Sequence, residues 1–249
     1  MESIHDKSYK ELFSNPLFAR QLFEGFLPKS IRNRLDFSTL KMLPGNYITP
    51  AMKNLYQDIV WAVHFQYEDQ AVPLYLCVLL EFQSTPESMM PLRMLSYVAG
   101  FYQELIKRKL LDVEKNKLPP VLPVVLYSGK PPWSAPTSLQ ALITPVPKTL
   151  RSFQPQLSYF LIDEHRLTQE DLEQAPELLV DMLALNHSDN AHDFTAMWRV
   201  LRRKLEAHPD VALLDRTIAR WLAYTLHLRG SKIKLEDIET TDEATTMWT

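Results

Sequence analysis

Asp58, Glu81 and Gln83 are the residues whose types and spacing can do chemistry here. Asp58 opens an apolar run that continues IVWAVHF, and Glu81 and Gln83 close a second one, AVPLYLCVLLEFQ. Two runs rich in β-branched and aromatic residues, separated by the polar stretch QYEDQ, predict a pair of strands. Side chains alternate along a strand, so Glu81 and Gln83 share a face. In a hairpin the start of the first strand lies beside the end of the second, which brings Asp58 near Glu81. Two carboxylates and an amide at one end of a sheet make an oxygen-rich site suited to a hard divalent cation. Plainer roles compete: Asp58 as a turn residue, Glu81 as a strand end emerging into solvent, Gln83 as a partner of nearby backbone.

The flanking elements follow from periodicity and from punctuation by Pro and Gly. Residues from His5 to Phe13 predict a helix, with Asp6 at its N-cap. Asn15-Pro16 restarts the pattern as cap and first helical residue, and Leu17 to Leu27 supply an apolar stripe. Pro28 opens a short turn to Arg34. Leu35 to Leu43 reads as a strand ended by Pro44-Gly45, while 46–55 fits either an extended chain or one helical turn. After the strand pair, Met89 to Leu111 predicts a long helix on which Arg93 and Tyr97 share a face. Val121 to Tyr127 is a continuous apolar run, as expected of a strand covered on both sides. A proline-rich stretch follows, with a short helical piece at 138–142, then a strand from Leu157 to Ile162. Three helical patterns, 168–186, 191–206 and 210–229, come next, with Gly230 as the C-cap of the last. The order of helix, three strands, helix and strand predicts an α/β fold with a mixed sheet flanked by helices. It divides the chain into a core at 1–165 and a helical region at 166–249.

Composition narrows the function classes. The 249 residues are 46% hydrophobic and 23% charged, as in an ordered globular protein. The formal net charge of −3 gives no whole-protein affinity for nucleic acid, so such a surface must be local. Candidate patches are Lys29-Arg32-Arg34, Lys107-Arg108-Lys109 and Arg199-Arg202-Arg203-Lys204, each also readable as a solvated helix face. The polar start MESIHDKSYK is unlike a signal peptide, and the longest apolar run, Val72 to Leu80, is too short for a bilayer and carries Pro73. Cys77, the single cysteine, sits inside that run as a buried thiol. A cytoplasmic protein without membrane attachment is the expectation. The seven histidines are scattered without zinc spacing, and no glycine-rich nucleotide loop occurs, so no nucleotide cofactor is expected.

An ordered set of short motifs goes further: His5-Asp6-Lys7 with Tyr9-Lys10, Gln57-Asp58-Ile59-Val60, Glu81-Phe82-Gln83-Ser84-Thr85-Pro86, Met90-Pro91-Leu92-Arg93 with Tyr97, and Leu118-Pro119-Pro120-Val121 leading to Tyr127-Ser128-Gly129 and Trp133. Over about residues 5–145 this arrangement resembles the recombination-promoting nuclease, or transposase-like, family of bacteria. The Asp and Glu-x-Gln placement is similar to the PD-(D/E)XK nuclease core. The resemblance implies a DNA endonuclease dependent on Mg²⁺, with Mn²⁺ as the alternative ion. By position, Asp58, Glu81 and the Phe82 carbonyl correspond to metal ligands, and Gln83 to the last catalytic position. The wider superfamily has Lys there. An amide orients water but adds no charge, so the cation must come from Lys10, Arg93 or a second metal. Phe82 stands where the family often has His. A non-catalytic DNA- or protein-binding module is the rival expectation, and a homo-oligomer built on the C-terminal helices is a third.

Overall fold

The computed structural model describes residues 4–44, 59–81, 86–110, 117–129, 131–188 and 191–228. It separates into two compact units, one formed by residues 1–32 together with 167–249 and the other by residues 33–166. Residues 4–32 pack on the C-terminal helices, for a reason that lies in their apolar faces.

The helical unit begins with α1, Ile4–Phe13, and α2, Pro16–Phe26. Asn15 caps α2 by accepting from the Leu17 N–H, and Pro16 fills the first turn, where a missing N–H costs nothing. Asp6 lies inside α1 and not at its cap, because the helix starts two residues earlier. A four-residue α3 follows at Lys29–Arg32. Tyr9, Leu12 and Phe13 are buried, and α1 lies along the last helix, α8, Val211–Leu228. Asn15 Nδ2 donates to Thr217 Oγ1 at 3.1 Å, and Arg220 meets Glu11 at 3.3 Å. Between them in sequence come α5, Gln169–Gln174, α6, Glu177–His187, and α7, Ala191–Glu206. The single helix expected over 168–186 is therefore two. Ala175 is extended (ψ 152°) and Pro176 precedes α6, since a proline ring inside a helix clashes with the preceding turn. Lys204 of α7 ties to both Glu177 and Asp181 of α6, and these bonds push its ammonium pKa up.

The other unit holds five strands: β1, Leu35–Met42, β2, Ile59–Tyr67, β3, Gln70–Glu81, β4, Val121–Tyr127, and β5, Phe160–Asp163. They lie in sequence order; β1–β2 and β2–β3 are antiparallel, β3–β4 and β4–β5 parallel. The parallel step from β3 to β4 requires a crossover, supplied by α4, Met90–Lys107. Its apolar positions Met90, Met94, Tyr97, Phe101 and Leu105 recur at helical spacing. They pack on Val60, Val125 and Tyr127 with Trp133 and Tyr159. Val124 to Tyr127 are all fully buried, as the uninterrupted apolar run requires. β5 begins at Phe160, later than expected, because Ser158 and Leu157 bond the 137–139 stretch instead.

α4 ends four residues short of the expected Leu111. Lys109 adopts φ 56°, its N–H reaches the Ile106 carbonyl at 3.0 Å, and the Leu110 N–H reaches Leu105 at 3.0 Å. That is a Schellman stop with lysine where glycine is usual. Lys109→Gly is expected to stabilise the fold by about 1 kcal/mol, by removing the Cβ penalty of left-handed backbone. Parallel thermal melts of both proteins check it; an unchanged or lower midpoint for the variant contradicts it. The expectations over 46–55 and at Gly230 concern residues outside those described.

Candidate functional site

The three parallel strands end level with one another. Glu81 pairs with Tyr127, and Tyr127 with Asp163, so these residues form one row at the C-terminal edge of β3, β4 and β5. Neighbouring strands lie about 4.8 Å apart, which separates the Cα atoms of Glu81 and Asp163 by about 10 Å. On the antiparallel side, Ile59 opens β2 opposite Val78, three residues before Glu81. Glu81 thus closes β3 at the end of the sheet where β2 begins. Asp58, Phe82 and Gln83 lie outside the described residues.

This edge is held by the chain that leaves β4. The Tyr127 hydroxyl donates to the Pro131 carbonyl at 2.7 Å, and the ring meets Trp133 edge-on at 4.9 Å between centroids. The Trp133 N–H donates to Asp163 Oδ2 at 2.9 Å, the His165 N–H to Asp163 Oδ1 at 3.2 Å, and Arg166 lies 3.4 Å from Oδ2. Asp163 is buried and serves as the bracket between the β4 loop and the turn after β5. Ser128 Oγ donates to Glu164 Oε2 at 2.8 Å, a second tie across the same gap. Tyr159 donates to Pro136 O at 2.8 Å, and burial pushes its hydroxyl up to about 12, so it stays protonated. Asp163 and Glu164 were not singled out from sequence, where they look like the start of a polar link. An acidic pair ending an apolar run was the available signal.

The cations considered as substrate contacts fall in different places. Arg93 Nη1 meets Glu87 Oε2 at 2.7 Å, and its side chain is 12% exposed. Lys10 lies on α1, in the helical unit, and is half-buried. Within the three basic patches some of the cations have local partners. Arg108 bonds Glu104 at 2.7 Å and holds that carboxyl below its ordinary value. Arg32 donates to the Glu24 carbonyl at 2.6 Å, Arg202 meets Glu206 at 2.9 Å, and Lys204 is bound as above. Tyr97, Tyr127 and Trp133 are core residues. Among the described residues, no group of three or more His, Cys, Asp or Glu is placed to hold a metal, and no helix is long and apolar enough to cross a membrane.

Residues 3–213 match the profile of the family described as "Putative transposase, YhgA-like". The chain belongs to that family. Among curated proteins it is similar to recombination-promoting nuclease RpnC of Escherichia coli strain K12, with 31% identity over 127 residues, 51% of this chain and 39% of that protein. Recombination-promoting nuclease RpnD of Escherichia coli O157:H7 is 29% identical over 133 residues, 52% of this chain and 48% of that protein. A third relative of the YhgA-like chain, the inactive recombination-promoting nuclease-like protein RpnE of strain K12, is 27% identical over 128 residues, 51% of this chain and 40% of that protein. The chain spans less than half the length of these relatives. No solved structure matches it significantly.

Proposed function

We propose that this chain is a metal-dependent DNA endonuclease with a PD-(D/E)XK-like sheet. The observation that carries the reading is the β2–β3–α4–β4 unit. It has an antiparallel hairpin, a parallel crossover, and Glu81 as the last residue of β3, at the end where β2 opens. Strand rise and spacing put the Cα atoms of Ile59 and Glu81 about 11 Å apart. Asp58 is one peptide unit from Ile59, about 3.8 Å between Cα atoms. The names of two relatives, recombination-promoting nucleases RpnC and RpnD, point to the same class of reaction.

The donor set fits a hard cation: two carboxylates, Asp58 and Glu81, and the Phe82 carbonyl, all oxygen, with no soft ligand. They would hold Mg²⁺, or Mn²⁺ in its place. When bound, the ion supplies charge stabilisation at the scissile phosphate and a more acidic water. Gln83 accepts from and donates to water through its amide and so orients a nucleophile without adding charge. Arg93, in the same unit as Glu81, remains a candidate for phosphate contact. Arg93 must exchange its Glu87 partner to serve, whereas in its present pair it fastens the segment entering α4. DNA is the substrate in this reading.

A second reading, a non-catalytic binding module, is favoured by the amide at Gln83 and by a relative named inactive. Supercoiled plasmid separates the two. Nicking is expected with Mg²⁺ or Mn²⁺ and none after EDTA treatment. Nicking that persists in EDTA, or none with either ion, removes the proposed metal chemistry.

A further inference from the structure

The connection between β4 and β5 has a charge pattern unlike the rest of the chain. The protein carries 30 Asp and Glu residues, yet from Lys115 to Ile162 there is none, and the β4–β5 connection within that stretch carries Lys130, Lys148 and Arg151. It includes a 3-10 turn at Lys148–Phe153 with no buried residue. Phe153 is 79% exposed and Leu150 47%, although folding normally removes large apolar groups from water. Lys148 and Arg151 are exposed beside them, and among the described residues neither is ion-paired. Against the turn lies an open cleft of about 300 Å³. Ile143, Pro145 and Val146 give it apolar walls, and Gln140, Gln154 and Arg151 give it amide and guanidinium edges. That volume is at the lower end of small-ligand sites.

We propose that this turn and cleft dock single-stranded DNA. The chemistry is complementary group by group. Lys148 and Arg151 meet phosphates, with no carboxylate in the stretch to repel them. The ring of Phe153 offers a stacking face to an unpaired base. The amides of Gln140 and Gln154 present donors and acceptors to a base edge, between walls that suit its planar faces. In a duplex the bases are already stacked and cannot use the exposed ring, so the unpaired strand is the favoured occupant. The inference deepens the nuclease reading by naming where substrate strand is held, and rests on it for the choice of DNA.

The test is binding, measured apart from cleavage. The full chain is titrated in EDTA against a fluorescent single-stranded oligonucleotide and the matching duplex, with anisotropy as readout. The wild type is expected to prefer the single strand. Phe153→Ala is expected to weaken single-strand binding about tenfold, the effect of one lost stacking partner. Lys148→Ala with Arg151→Ala is expected to reduce the slope of log affinity against log salt by about 1.4, two phosphate contacts at about 0.7 each. Lys41→Ala with Arg216→Ala, exposed charges on β1 and α8 outside every basic patch, serves as the matched control and is expected to leave that slope unchanged. All these positions are exposed, so the variants keep the fold. No binding by the wild type, equal or tighter binding of duplex, or unchanged binding by Phe153→Ala overturns the inference. Because metal is absent, loss of plasmid nicking with intact Phe153-dependent binding would remove the nuclease reading and leave this one standing; intact nicking with no effect of Phe153→Ala does the reverse.

Discussion

Gly129→Ala is expected to destabilise the sheet unit by about 3–5 kcal/mol, from forced repacking and a broken buried contact set. The reason is space and not backbone conformation. A Cβ at position 129 would fall against Tyr127 Oη, Cζ and Cε2, closer than a Cβ approaches any non-bonded heavy atom. The Tyr127 ring has nowhere inexpensive to go. It is fully buried, its hydroxyl is bonded to Pro131, and its edge is set against Trp133. Moving it forfeits an aromatic pair worth about 0.5–1.5 kcal/mol. It also strands a buried hydroxyl at about 1–3 kcal/mol, before the strain of the new methyl is counted. The shift would propagate, because Tyr127 is the backbone partner of both Glu81 and Asp163. Near-ultraviolet circular dichroism during thermal unfolding measures the loss. Tyr127→Leu combined with Gly129→Ala should cost less than the two changes added, since the leucine vacates part of the space. A Gly129→Ala protein within 0.5 kcal/mol of wild type would show that the loop has room to slide.

Much of the sheet was legible because its signals are local. Each strand of the β2–β3 hairpin is a run of β-branched and aromatic residues, and the turn between them is polar and short enough to fix the register. β4 announced itself as an unbroken apolar run, and Asn15-Pro16 as a helix start, since cap chemistry is read from two adjacent residues. The errors have physical causes of the opposite kind. The end of α4 was invisible because lysine, not glycine, takes the left-handed position at 109, and lysine is a good helix former elsewhere. Pro176 marks the break between α5 and α6, and the apolar periodicity on either side masks it. The placement of α1 with α8 depends on faces more than 200 residues apart, which no local pattern specifies. At the candidate site, the strand positions of Ile59 and Glu81 followed from pattern. The bracket made by Asp163, Trp133 and Ser128 did not, because it joins loops through side chains whose spacing in sequence carries no period.

Replacing either carboxylate is expected to lower plasmid nicking by about 10³-fold or more, about 4 kcal/mol of lost transition-state stabilisation. Asp58→Asn and Glu81→Gln are the informative forms. Each keeps the shape of the side chain and an oxygen donor while removing the charge that a divalent ion needs. Glu81 sits in its row through backbone bonds to β4, which the substitution does not touch, so the sheet is expected to persist. Loss of a charged ligand should also raise the metal concentration needed for half-maximal rate, an effect that a purely structural role would not produce. Gln83→Ala is expected to cost less, about 10–10² in rate, since an amide that orients water contributes less than a ligand that holds the ion. Gln83→Lys places a cation at that position and should retain more activity than alanine. Binding of DNA in EDTA should not fall for any of the four variants, since none removes a positive charge. Equal nicking by wild type, Asp58→Asn and Glu81→Gln would trace the activity to something other than these residues. The sheet would then be a platform for binding, and its strand-end acids would be fold-forming residues like Asp163.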